Sequence, residues 1–122
     1  VIYLIDTKIF SELLRNPQGA AAQRFRVLES KPGVALVTNV IVASEMRFGA
    51  LKKASARLQV GVAELLSRVE VLALESGLDE RYATVRLDLE RRGLPIGGND
   101  LLIAAHALAL DAVLVTDNVR EF

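Results

Sequence analysis

The chain has 122 residues, 52% apolar and 25% charged, with 15 Lys and Arg balancing 15 Asp and Glu. That is one packed globular domain spanning residues 1–122, with little room for a second. No apolar run approaches the roughly 20 residues that span a bilayer, and the absence of cysteine removes disulfides, thiolate zinc sites and cysteine nucleophiles together.

Val1 to Ile5 reads as a short buried strand that leads straight to Asp6, with no signal-peptide pattern. A cytoplasmic protein is the expectation. Ile9 to Arg15 predicts a short helix stopped by Asn16-Pro17, and Ala20 to Leu28 a second one ended by Lys31-Pro32-Gly33. Val34 to Val37 is an apolar strand. Asn39 is placed to cap a helix from Val40 towards Lys52, and Ser55 one that runs to about Ser67. Val69 to Leu74 is β-rich, and Ser76 is expected to open a helix reaching Arg92. Asn99 is expected to cap a last long helix, Asp100 to Leu110, before a strand at Ala112 to Val115 and a helical start at Asn118. Short continuous apolar strands alternating with helices predict an α/β fold: a central parallel sheet of four strands, or five, with helices on both faces.

Four carboxylates sit where these strands end or helices begin: Asp6, Glu45, Asp100 and Asp117. Open α/β sheets bind ligands in the crevice beyond the carboxyl ends of their strands. Asp6 ends the first strand, Asp117 follows the last by one residue, and Asp100 opens a helix apolar almost all round, which should be buried. Glu45 lies six residues past Asn39, about 9 Å along a helix, within reach of the strand ends for a long side chain. Taken singly, each acid has a structural explanation as a helix cap, a dipole partner or a surface ion pair. Gathered at one edge they would repel, and a bound cation would resolve the conflict. With no Cys and one His, an all-oxygen site selects Mg²⁺, or Mn²⁺, over Zn²⁺. The chemistry expected of it is metal-assisted phosphodiester hydrolysis. His106, mid-helix among alanines, is expected to be packed or partly exposed rather than a general base.

The charge is unevenly spread. Arg47, Lys52, Lys53 and Arg57 lie between Met46 and Gln59 with no acid among them. They read either as a phosphate track or as a solvated helix face. Phe10, Phe25 and Phe48 fit helix cores better than base-stacking platforms.

At these residues the chain resembles a PIN-domain ribonuclease, specifically the VapC or FitB-like toxin of a bacterial toxin–antitoxin pair. The resemblance runs from Tyr3 to Phe122 and rests on Leu4-Ile5-Asp6-Thr7, on Ile41 to Ala50 around Glu45, on Pro95 to His106 around Asp100, and on Val115 to Phe122 around Asp117. It implies an endoribonuclease with those four acids around Mg²⁺, the counterparts of Asp6 and Asp100 being the usual metal ligands. Thr116 and Asn118 fall at polar positions that support the cluster. It also implies a homodimer, an RNA substrate and a small antitoxin that blocks the site, with promoter DNA bound only through the antitoxin.

Two departures stand out. Where relatives usually carry asparagine two residues after the first aspartate, this chain has Lys8, which either pairs with Asp6 or Glu12 or points into solvent. Relatives also continue past the counterpart of Phe122 through a further short strand. With Lys8 at the usual asparagine position, a catalytically weak module that acts chiefly by binding its antitoxin or another protein is the alternative reading. A haloacid-dehalogenase-type phosphatase would need an aspartate at Lys8. A dinucleotide-binding module would need glycines in Thr7-Lys8-Ile9-Phe10. A phosphoacceptor receiver domain would need an aspartate ending its middle strand, where Val37 is followed by Thr38-Asn39.

Overall fold

The computed structural model describes residues 1–116. Its element order is β1 (Ile2–Ile5), α1 (Thr7–Arg15), α2 (Ala20–Ser30), β2 (Ala35–Asn39), α3 (Val40–Lys52), α4 (Ala56–Ser67), β3 (Glu70–Leu72), α5 (Leu78–Arg91), α6 (Gly98–Ala109) and β4 (Val113–Val115). The four strands form one parallel sheet in the order β3-β2-β1-β4, flanked by the helices. Leu4 faces Val37 on one side and Leu114 on the other. Each parallel connection is a helix pair, as the chemistry of a crossover requires.

The two inner strands supply the buried runs. Leu4, Ile5 and Val37 pack with Phe10 and Leu13 of α1, Val42 and Met46 of α3, and Ile103 of α6 in one apolar cluster. Among the described residues β3 and β4 are the edge strands of the sheet, three residues each. No helix among the described residues is long and apolar enough to cross a membrane.

Side-chain caps open three of the six described helices, α1, α3 and α4. Asn39 accepts the Val42 N–H at 3.0 Å to open α3, and the Ser55 hydroxyl accepts the Leu58 N–H at 3.1 Å to open α4. Two expected caps are displaced. α5 begins at Leu78 behind Gly77, whose φ of 98° turns the chain in a way Ser76 could not. α6 begins at Gly98 behind Gly97, which takes the extended cap conformation and whose carbonyl accepts the Leu101 N–H. Asn99 therefore lies inside the first turn. Phe48 is also misplaced by the sequence reading. Val42, Ala43, Met46 and Ala50 form the buried stripe of α3, and at 100° per residue that leaves Phe48 and Leu51 outside, 65% and 64% exposed. Phe10 and Phe25 are buried as expected.

Candidate functional site

The chain lays down β1, β2 and β3 side by side, then crosses back so that β4 docks on the free side of β1. That reversal makes a switch point between β1 and β4, with a crevice at their carboxyl ends. Asp6 is the first residue beyond β1 and Thr116 the first beyond β4. The Asp6 N–H donates to the Val115 carbonyl at 3.0 Å, so the ladder holds the backbone right up to the site.

Asp6 is 2% exposed, a costly place for a carboxylate unless donors meet it. Both oxygens are met. Oδ1 accepts the Thr7 N–H at 2.7 Å, which makes Asp6 the cap of α1, and Oδ2 accepts the Thr116 hydroxyl at 2.7 Å. The Thr7 hydroxyl in turn donates to Glu45 Oε1 at 3.0 Å. Glu45, halfway along α3, thus leans back to the end of β1. Beneath them the fully buried Thr38 donates its hydroxyl to the Ile5 carbonyl at 2.9 Å and ties the ends of β1 and β2 together.

Asp100 is the third residue of α6, half-buried in its first turn, where the helix dipole favours an acid. Among the described residues, no three Asp, Glu or His side chains stand close enough together to hold a metal ion. The structure therefore joins Asp6 and Glu45 through Thr7 and places Asp100 on a separate element. Asp117 and Asn118 lie outside the described residues.

Lys8 is exposed and makes no ion pair with Asp6 or Glu12. Asp6 is engaged by hydroxyl and amide donors, and Glu12 is bound by Arg15 one turn on. Of the basic stretch, Lys53 shares a groove of about 240 Å³ with Glu45, Thr7, Ser11 and Arg15. Arg57 lines a different groove, between α1, α2 and α4, near Arg26 and Arg68. Arg47 and Lys52 lie on the exposed face of α3. Arg15, Thr7 and Ser11 are the groove residues that the sequence reading passed over. Thr7 and Ser11 stand at i and i+4 of α1, a stripe that a helix starting at Ile9 leaves out.

His106 is packed, at 4% exposure, with its Nδ1 3.0 Å from Asn39 Nδ2. Burial pushes its pKa below the ordinary 6.5, and the charge of Glu75 partly offsets that.

The sequence profile of the PIN-domain family matches residues 3–122. Ribonuclease VapC1 of Haemophilus influenzae is 38% identical across all of this chain and 90% of its own length. The tRNA(fMet)-specific endonuclease VapC of Shigella flexneri is 30% identical over 98% of this chain and 89% of its own. The solved structure of VapBC2 from Rickettsia felis, bound to a DNA fragment from its promoter, superposes with a TM-score of 0.91 at 31% identity, covering 98% of this chain and 90% of that one. This chain belongs to the PIN-domain family, and within it to the VapC toxins of toxin–antitoxin pairs. Its class is that of the ribonuclease toxins.

Proposed function

We propose that the chain is a Mg²⁺-dependent endoribonuclease toxin that hydrolyses RNA phosphodiester bonds and is silenced by a small antitoxin. The observation that supports this most is the Asp6–Thr7–Glu45 arrangement at the β1/β4 switch point, in a chain whose family is the ribonuclease toxins. The donor set suits a hard cation, because it offers only carboxylate and hydroxyl oxygens and the lone imidazole is engaged elsewhere by Asn39. Asp6 and Asp100 would be its principal ligands, with Glu45 and Asp117 completing the site; Mn²⁺ would fit the same oxygens. When bound, such a cation acidifies a water and screens the phosphate under attack.

The chain's own residues do the rest. Thr7 and Thr116 orient Asp6 and Glu45, and the strand ends fix them within the crevice. Arg15 and Lys53 flank Glu45 in its groove and supply positive charge for a neighbouring phosphate. An antitoxin of the kind found with the toxins in the Rickettsia felis and Salmonella typhimurium VapBC complexes is the protein partner, promoter DNA being reached through it; a homodimer is the expected assembly.

The test is cleavage of a structured RNA by antitoxin-free protein with and without Mg²⁺. A tRNA is the first substrate to try, because the Shigella relative is named for tRNA(fMet). Metal-dependent cutting that disappears in Asp6→Asn and in Asp100→Asn supports the proposal. A wild type that cuts nothing under Mg²⁺ or Mn²⁺ sinks it.

A further inference from the structure

Asn39 is fully buried and uses its two polar atoms in different directions. Its Oδ1 accepts the Val42 N–H and caps α3, so the amide orientation is fixed by the cap: the reverse would set NH₂ against N–H. Its Nδ2 therefore donates, and among the described residues its hydrogen-bond partner is Nδ1 of the buried His106, at 3.0 Å. An amide NH₂ has no lone pair to offer, so Nδ1 must carry one, and the ring is the neutral form protonated at Nε2.

The placement of the two residues gives this bond a consequence. Asn39 stands six residues before Glu45 at the head of α3, and His106 stands six residues after Asp100 on α6. Each is about 9 Å along the helix from the acid its element carries. The two helices also pack directly on each other. We propose that His106 is a positioning residue whose bond to Asn39 fixes α6 against the start of α3, and so sets where Asp100 stands relative to Glu45 and Asp6. This rests on the ribonuclease reading for its catalytic part, but the positional part stands on the geometry alone.

Protonation would break the bond by setting N–H against NH₂. On α5 the ionisable side chains that line the grooves against α6 are Asp79, Tyr82, Arg86 and Glu90; α3 carries Glu45, Arg47 and Lys52, and Glu75 lies in the loop before α5. Of the described groups, Glu75 alone acts on the imidazole, favouring the proton, and burial opposes it more strongly.

The chain holds one histidine, so its ring is read without ambiguity. Long-range ¹H–¹⁵N spectra near neutral pH should show the Nε2–H form; a ring protonated at Nδ1 overturns the inference. His106→Ala should lower kcat on RNA about ten- to hundredfold with little change in KM, since small displacements of reacting groups cost that much. It should also move the amide resonances of Glu45 and Asp100. His106→Gln, whose Oε1 can accept from Asn39, should restore both. The ratio of wild-type to His106→Gln kcat should fall on acidification, in step with the imidazole titration. A folded His106→Ala that turns over like wild type, or a His106→Gln no better than His106→Ala, overturns the inference. If wild type proves inert on RNA, the ribonuclease reading fails and the resonances decide: movement in His106→Ala with return in His106→Gln supports the positional claim, and no movement ends it.

Discussion

Asp6 and Asp100 both stand at the start of a helix, yet the chain holds them by different means. Asp6 is itself the cap of α1, is buried, and has each oxygen on a donor fixed by a strand end or the first helical turn. Asp100 sits inside a helix whose start is two glycines with no side-chain cap, and is half-buried. One acid is placed by the sheet. The other is carried by a helix that owes its position to packing on α3, α5 and β4 and to the buried Asn39–His106 bond. A site built this way has a rigid half and an adjustable half, and the two should fail differently when they are broken.

The largest difference should come from truncating each acid. Asp6→Ala removes a cap and leaves the Thr7 N–H and Thr116 hydroxyl without this acceptor, which should cost about 1–2 kcal/mol of stability. Asp100→Ala removes an acid that the helix dipole favours by about 0.3–1 kcal/mol, together with that acid's own contacts. Both should abolish RNA cleavage, so denaturant midpoints, not activity, separate them. Equal losses of stability would mean that Asp100 is fixed as firmly as Asp6, and the contrast would collapse.

A smaller step breaks the tie inside the rigid half. Thr7→Val keeps the shape and the backbone N–H that Asp6 caps, but deletes the hydroxyl that turns Glu45 back to the strand ends. A hydrogen bond to a charged group is worth about 1.5–3 kcal/mol, so cleavage should drop about ten- to hundredfold while the fold is kept. Unchanged cleavage would remove Glu45 from the working site.

How far this could be read from sequence differs along the same line. The strands, the parallel class and the caps at Asn39 and Ser55 follow from apolar runs and short polar residues beside them, which are local signals. The placement of Asp6 was legible for the same reason, as an acid directly after a buried strand. Strand order was not, because nothing in the linear pattern says on which side of β1 the strand Val113–Val115 will dock. That docking brings the Thr116 hydroxyl to Asp6 across 110 residues, and the Asn39–His106 bond spans 67. Phe48 shows the opposite limit: an aromatic residue suggested a core position, but the phase of α3 decided it.

Acid should act on the adjustable half. His106 is held below its ordinary 6.5 by burial, with Glu75 pulling weakly the other way. On lowering the pH, the unfolded chain therefore takes up this proton before the folded one does. The contribution of neutral His106 to stability is fully present above about 6.5 and is lost as the pH falls through that value towards the folded-state pKa. Carboxylates titrate in part of the same window, so the diagnostic is the difference between wild type and His106→Gln in urea midpoint at successive pH values. That difference should shift in favour of His106→Gln below about pH 6.5. A constant difference would show that the imidazole does not titrate differently on folding.

The smallest effect should lie at the far ends of the two helices. Two residues past the end of α3, which carries Glu45, stands Ala54 at φ 51°, and two past the end of α6, which carries Asp100, stands Asp111 at φ 53°. Both are in the left-handed region, which penalises a residue with a Cβ by about 1 kcal/mol. Aspartate tolerates it better than alanine because its short polar side chain can bond to nearby backbone. Ala54→Gly should therefore add up to about 1 kcal/mol of stability, read as a higher denaturant midpoint, and Asp111→Gly less. Ala54 is exposed, and its N–H meets the Leu51 carbonyl, an exit turn that glycine would keep. Neither change touches the strand ends, so cleavage should stay at wild-type level in both. If Asp111→Gly alone altered cleavage, the position of α6 would depend on its exit as well as on Asn39, and the adjustable half would be looser than one buried hydrogen bond can hold.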